Sequence, residues 1–100
     1  MRIYHTQTAK NDLEDIFEYI AQDSPKRAID FIRKLKEAIE DLTVFPQMGV
    51  DCKKKNIDLD CQILIYRSYL IFYGINKDAV VIYRILHASV DYKKSMKGKK

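Results

Sequence analysis

The sequence has no tryptophan, only three glycines and two prolines, and no long apolar run. So little glycine and proline excludes a collagen-like or low-complexity chain. A helix that crosses a bilayer needs roughly 20 consecutive apolar residues, and no run here approaches that length. The first ten residues contain no apolar stretch like that of a signal peptide. We therefore expect an ordinary globular protein in the cytoplasm.

Cysteine is also scarce, because only Cys52 and Cys61 are present. No cluster of cysteine and histidine gives them the spacing of metal ligands. We therefore expect two reduced thiols, with a redox pair as the open alternative, and no metal site. A chain of 100 residues buries a modest core and leaves no room for a large cofactor pocket, so no cofactor is expected.

Charge is unevenly distributed along the chain. Residues 1–48 hold seven Lys/Arg against nine Asp/Glu, whereas residues 49–100 hold eleven against five. Five of these lysines crowd the last eight residues. A basic C-terminal half suits nucleic acid or an acidic protein partner. We predict one domain over residues 1–92 and a basic tail over residues 93–100.

Hydrophobic periodicity predicts two helices in the first half. Apolar residues recur at helical spacing from Leu13 to Ile20 and again from Ala28 to Leu42. Thr8 is the predicted N-cap of the first helix, whose acidic residues are assigned to the side away from the apolar stripe. Ser24-Pro25 predicts the start of the second, because serine caps and proline fits the first helical turn.

The second half is rich in strand-forming residues. Residues 61–66, 69–75 and 79–86 contain many Ile, Val, Tyr and Phe, and a turn lies near Asn76–Asp78. Residues 1–6 are a weaker strand candidate, and residues 50–58 read as either an edge strand or a loop. The predicted architecture is α+β, with an antiparallel helix hairpin packed on a small antiparallel sheet of three or four strands.

The order and spacing of these residues resemble the RelE/ParE toxin superfamily. The resemblance covers roughly residues 3–92. It is carried in the first half by Ala9, Asp12, Leu13, Ile16, Tyr19, Ile20, Pro25, Ala28, Phe31, Ile32, Leu35, Leu42, Phe45, Pro46 and Gly49. In the second half it is carried by Tyr69–Tyr73, by Ile82–His87 and by Asp91-Tyr92.

This resemblance implies the toxin of a bacterial type II toxin–antitoxin pair, a family associated with growth inhibition and plasmid stabilisation. It implies a cognate antitoxin that binds and silences the chain, with a toxin–antitoxin hetero-oligomer as an open possibility. ParE-like members inhibit DNA gyrase. RelE-like members are endonucleases that cleave mRNA on the ribosome.

For the nuclease alternative, RNA cleavage without a metal needs proton transfer and stabilisation of phosphate charge. The candidate catalytic residues of the right chemical types are Lys53, Lys54, Lys55, Arg67, Arg84, His87 and Tyr92. Each of these residues could instead have a purely structural role. In particular, a strand arginine such as Arg84 is more often an ion-pair partner, here of Asp12 or Asp15, and a lysine run is usually a solvated edge.

Two positions argue against the nuclease alternative. Leu70 stands where the RelE-like pattern has an arginine. Ala88–Val90 contains no basic residue where RelE-like members and many ParE-like members have one, so this stretch departs from both branches. We therefore expect a toxin that acts by binding gyrase, without confident catalytic residues. The mRNA endonuclease and an inactive, antitoxin-binding module remain the alternatives. A two-residue turn would place Arg67 and Arg84 on one face of the sheet and His87 on the other. A three-residue turn would place Arg67 and His87 on one face and Arg84 on the other.

Overall fold

The structure, a computed structural model, describes residues 1–92; the predicted basic tail of residues 93–100 lies outside the described residues. Two helices and five strands follow one another along the chain. They are β1 (Arg2–His5), α1 (Gln7–Ala21), α2 (Pro25–Glu40), β2 (Val50–Asp51), β3 (Gln62–Tyr66), β4 (Tyr69–Asn76) and β5 (Ala79–His87). Two 3₁₀ turns, Asp41–Thr43 and Cys52–Lys55, flank β2. The prediction of an α+β fold with two helices is confirmed.

The helices begin at hydroxyl caps. Ser24 accepts a hydrogen bond from the Arg27 amide, and Pro25 occupies the first turn of α2, as predicted. The cap of α1 is Thr6, whose hydroxyl accepts from the Ala9 amide, so the prediction of Thr8 is wrong. The cause is β1, which ends at His5 and leaves Thr6 as the first residue free to adopt the extended cap conformation.

The sheet is larger than predicted and is mixed. Its order is β1-β5-β4-β3-β2, with β1 parallel to β5 and the other pairs antiparallel. The predicted antiparallel sheet of three or four strands accounts for β2–β5, but the parallel strand β1 makes the whole sheet five-stranded and mixed. A parallel pair needs a long crossover connection, and here α1 and α2 together provide it between β1 and the rest of the sheet.

The two sheet faces are covered differently. The front face packs against both helices, and its core contains Ile16, Leu35, Ile39, Ile71, Tyr73, Val80, Ile82 and Ile85. The back face has no helix over it among residues 1–92. Instead Cys52, Ile57 and Leu59 pack there against Leu70, Phe72 and Leu86. Residues 52–61, which we call the covering loop, thus close the second, smaller core.

The two cysteines join the ends of the covering loop. Cys52 and Cys61 form a disulfide with Cα atoms 5.3 Å apart, so the prediction of two reduced thiols is wrong. The reason is strand register: Val50 pairs with Ile63 and Asp51 with Gln62, which brings the next residue, Cys52, opposite Cys61. The Cys52 amide also donates to the Cys61 carbonyl at 2.9 Å. Spacing along the sequence alone does not reveal this pairing.

A two-residue turn joins β4 and β5, because Asn76 pairs with Ala79. The simple alternation that follows from this turn does not continue, since a bulge lies where Phe72 pairs with Arg84 and Tyr73 with Ile82. A bulge adds one residue to one strand and changes which face the later side chains occupy. Neither of the two predicted face assignments for Arg67, Arg84 and His87 therefore applies.

Candidate functional site

An open groove lies between α1 and the C-terminal half of β5. It has a volume of 490 Å³. Its lining residues are Asp12, Asp15, Ile16, Tyr19, Tyr69, Arg84, Ile85, Leu86, His87 and Ser89. Acidic, basic and aromatic side chains therefore meet along one groove beside the front face.

At the inner side of the groove, Asp12 and Arg84 form a bidentate ion pair. Arg84 donates through Nε to Asp12 Oδ2 at 2.9 Å and through Nη2 to Oδ1 at 3.1 Å. Asp12 Oδ2 also accepts from the Ile85 amide at 2.9 Å. The predicted ion pair of Arg84 is confirmed with Asp12, whereas the assignment of Asp12 to the exposed side of α1 is wrong, because it is only 7% exposed.

This ion pair fixes the charge state of Arg84. Its hydrogen bonds to the Asp12 carboxylate raise the pKa of the guanidinium. The group therefore stays positively charged and remains bound to Asp12. Two of its N–H donors already point at Asp12, and a phosphate would have to compete with a neighbouring carboxylate. In this arrangement Arg84 holds α1 against β5.

His87 lies at the outer end of the groove, and its orientation is set by Ser89. The Ser89 amide donates to His87 Nδ1 at 3.0 Å, and the Ser89 hydroxyl lies 2.7 Å from the same nitrogen. A backbone amide can only donate, so Nδ1 accepts and the proton of the neutral ring resides on Nε2. The ring also makes an edge contact with Tyr69, with centroids 5.1 Å apart.

Aromatic rings continue from His87 towards α2. Phe31 of α2 contacts both Tyr69 and Tyr66, at centroid distances of 5.6 Å and 5.9 Å. Burial raises the pKa of Tyr69, which keeps its phenol neutral. Across the groove, Tyr19 is 72% exposed on α1. The groove therefore presents rings, phenols and an imidazole N–H suited to binding another molecule.

The other candidate residues lie elsewhere. Lys53–Lys55 occupy the exposed 3₁₀ turn of the covering loop, and Tyr92 packs on Phe72 of the back face with centroids 5.8 Å apart. Arg67 is in the turn between β3 and β4 and lies over the Tyr66 ring, 5.8 Å from its centroid. The structure therefore brings Arg84 and His87 to one groove but distributes the remaining candidates over the back face and a turn.

Leu70 is buried in the back-face core with Phe72 and Leu86. The position where the RelE-like pattern has an arginine is thus part of an apolar cluster here. The lysine run is also less basic than it looks, because Asp51, Asp58 and Asp60 lie within the same ten residues. Over residues 49–92 there are six Lys/Arg and five Asp/Glu, so five of the six excess positive charges of this half belong to the last eight residues.

Sequence reasoning missed several groove residues. Tyr19, Tyr69 and Ser89 were not candidates, because a tyrosine near an apolar stripe is usually interpreted as core. One signal was present for Ser89, since it follows His87 by two residues, the spacing at which a backbone amide can reach the imidazole. Among residues 1–92 no group of three or more His, Cys, Asp or Glu side chains is arranged to hold a metal ion.

Comparison with known proteins identifies the family. Residues 3–92 match the family described as the ParE toxin of the type II toxin–antitoxin system parDE. The chain belongs to the ParE toxin family. The predicted resemblance to the RelE/ParE superfamily, on its ParE-like branch, is confirmed by this match. A comparison with curated protein sequences finds no significant match.

A solved structure has the same fold as this ParE-family chain. It is described as the chromosomal ParDE TA system from P. aeruginosa. The superposition has a TM-score of 0.71 at 20% sequence identity, and it covers 87% of this chain and 95% of the other. Within residues 1–92 neither helix is long and apolar enough to cross a membrane.

Proposed function

We propose that this ParE-family toxin acts by binding DNA gyrase and that a cognate antitoxin neutralises it by covering part of the same surface. Family membership supports the role of toxin in a type II toxin–antitoxin system. The structural neighbour described as a ParDE system supports an antitoxin as partner. The target itself, and the cytoplasm as the place of action, are part of the proposal.

The observation that carries a binding mechanism is the engagement of Arg84 by Asp12. The arginine donates two hydrogen bonds to this carboxylate, and the other candidate cations lie on the covering loop or in the β3–β4 turn. Cleavage of RNA without a metal requires cationic groups that converge on one phosphate. The geometry of residues 1–92 therefore favours recognition of a protein target over phosphate chemistry.

The groove is the surface that we assign to this recognition. Tyrosine and arginine are enriched among the residues that dominate protein–protein affinity, and exposed Tyr19 faces His87 and Ser89 across the groove. The floor contains Ile16 and Ile85, which add apolar area. An apolar floor with a polar rim is the usual composition of a protein interface.

The test is a pair of readouts after induction in cells: plasmid supercoiling and the integrity of mRNA. We expect loss of supercoiling or stalled gyrase complexes, with transcripts intact. The same result is expected with purified protein and gyrase in a supercoiling assay. Rapid transcript cleavage with normal supercoiling would contradict the proposal and restore the ribosome-dependent endonuclease. No effect in either readout would indicate an inactive module.

A matched pair of variants locates the surface. Tyr19→Ala removes the exposed groove ring, and Tyr4→Ala removes a ring of β1 that is 49% exposed and hydrogen-bonded only to Arg2 in the described contacts. We expect Tyr19→Ala to weaken gyrase inhibition roughly tenfold or more, a loss of the size found for interface hot spots, and Tyr4→Ala to change it less than twofold. Equal effects of the two variants would exclude the groove.

A further inference from the structure

We propose that the Cys52–Cys61 disulfide is a reversible redox site, and that its reduction by a dithiol opens the covering loop and exposes the back face. The inference concerns the chain itself and does not rest on the proposed target. Failure of the gyrase experiment would leave it standing, and its own failure would leave the proposed function standing.

The covering loop has few other attachments to the sheet. Its internal backbone hydrogen bonds run from the Asn56 amide to Lys53 O, from the Ile57 amide to Cys52 O, from the Cys61 amide to Leu59 O, and from the Cys52 amide to Cys61 O across the loop ends. These bonds shape the loop without tying its middle to β3–β5. Only two residues of β2 pair with β3. Apart from this short ladder and the Cys52–Cys61 backbone hydrogen bond next to it, the loop is held by the disulfide and by the burial of Ile57 and Leu59.

The two sulfurs differ in their access to solvent. Cys52 is completely buried, whereas Cys61 is 5% exposed and is one of the residues lining a second surface cavity of 490 Å³. Gln47, Gln62 and Tyr83 also line this cavity, so its wall is polar and accepts a small dithiol in water. An external thiolate therefore reaches Cys61 first.

The reaction is a thiol–disulfide exchange. The entering thiolate forms an S–S bond to Sγ of Cys61, and Sγ of Cys52 leaves with the bonding electron pair and takes a proton from water. The second thiol of the reductant then attacks the reductant sulfur of this mixed disulfide and releases Cys61, which is protonated in turn. The dithiol is oxidised to its disulfide, and the protein cystine gains two electrons and two protons.

Opening of the loop has a defined structural consequence. The loop's buried side chains cover Leu70, Phe72 and Leu86, so an open loop would expose an apolar surface and release the turn that carries Lys53–Lys55. Disulfides in reducing compartments are usually transient or redox-sensing. In the cytoplasm, where this chain is expected to act, the balance between the disulfide and the reduced thiols would be set by the reduction potential of the cellular thiols.

Hydrogen–deuterium exchange of the full chain, measured with and without dithiothreitol, tests the opening. The bond closes a loop of sequence separation 9, and the chain-entropy relation for such a loop corresponds to a change of about 100-fold in an opening equilibrium. On reduction we expect hydrogen exchange to become faster by about this factor in residues 52–61, to become faster in residues 70–72, and to stay unchanged in α1.

The Cys52→Ser/Cys61→Ser variant is the control and should exchange fast with and without dithiothreitol. Equal exchange of the oxidised and reduced chain would overturn the proposal, as would two free thiols after treatment with diamide.

Single-cysteine variants test the order of attack. In Cys52→Ser the remaining thiol is Cys61, and in Cys61→Ser it is Cys52, so each variant reports one sulfur. We expect 5,5′-dithiobis(2-nitrobenzoate) to react at least about tenfold faster with the first variant, since access controls the rate of exchange. Faster reaction of Cys52 would overturn attack at Cys61.

Discussion

The front and back faces of the same sheet are covered by different means. The front face is covered by α1 and α2, which contribute Ile16, Leu35 and Ile39 to its core. The back face is covered by ten residues, chiefly through Ile57 and Leu59, and these residues are closed by a disulfide. A long amphipathic segment holds its place through buried area, whereas a short loop lacks that area and depends on a covalent bond.

The largest expected effect is on the front face, at Asp12. Asp12→Ala removes both carboxylate oxygens that accept hydrogen bonds from Arg84, one of which also accepts from the Ile85 amide. Breaking a buried pair by removing one partner costs about 3–5 kcal/mol, and the lower end applies here because the Arg84 side chain is 20% exposed. Urea unfolding measures the loss. Asp15→Ala, an exposed acid in the same groove, should change stability by less than about 0.5 kcal/mol, and comparable losses in the two variants would contradict this role for Asp12.

The next effect is on the back face. Reduction of the disulfide should lower the free energy of unfolding by about 2–3 kcal/mol. This is the free energy that corresponds to the chain entropy lost when the unfolded chain is closed into a loop of this length. The measurement is urea unfolding with and without dithiothreitol, with the Cys52→Ser/Cys61→Ser variant as the control that must not respond. Unchanged stability on reduction would show that Ile57 and Leu59 hold the loop without help.

The pH dependence of stability should report on the front face, through His5 of β1. The Nε2 atom of His5 is buried and has no hydrogen-bond partner within residues 1–92. Burial, with a smaller contribution from Lys36, lowers the pKa of His5 below its ordinary value of 6.5. The unfolded chain then binds the proton more readily, so stability should fall as pH decreases from about 6.5 through the lower folded pKa. His5→Leu should flatten this dependence in unfolding measured as a function of pH. A slope retained in His5→Leu would exclude His5 as its source.

The smallest effect should be shared by both faces. Lys77 begins the β4–β5 turn with φ of 54°, a left-handed conformation that costs a non-glycine residue about 1 kcal/mol. Lys77→Gly should therefore raise the free energy of unfolding by up to about 1 kcal/mol and slow exchange in both cores alike. Lys55→Gly, which changes a lysine of the covering loop without positive φ, is the control. Destabilisation by Lys77→Gly would show that the turn tolerates lysine without strain.

Local signals in the sequence predicted much of the front face. The apolar stripes and Ser24-Pro25 defined the two helices, because caps and periodicity act within a few residues. The cap of α1 was misplaced by two residues because the end of β1 decides it, and β1 is formed only by pairing with β5. Asp12 looked exposed because its partner Arg84 is 72 residues away.

The back face and the groove were less accessible to sequence reasoning. The disulfide depends on the register of β2 against β3, and only two residue pairs set it. The faces on which the Arg84 and His87 side chains lie depend on a bulge in β5, a strand that contains no glycine or proline to mark it. The seven candidate catalytic residues were chosen by chemical type, and type carries no information on distance. Their separation therefore became visible only in the folded chain.

The carboxylate of Asp12 has one more consequence. β1 pairs with β5 only as far as Ile82; beyond it, the Thr6 amide and hydroxyl donate to the carbonyls of Ile82 and Tyr83, and Asp12 accepts from the Ile85 amide. An uncovered strand edge is a template on which another chain can add a strand. At this stretch of the sheet a threonine and an aspartate take the place of the missing strand. Asp12 therefore occupies part of the sheet edge that β1 leaves open, in addition to holding α1 against β5.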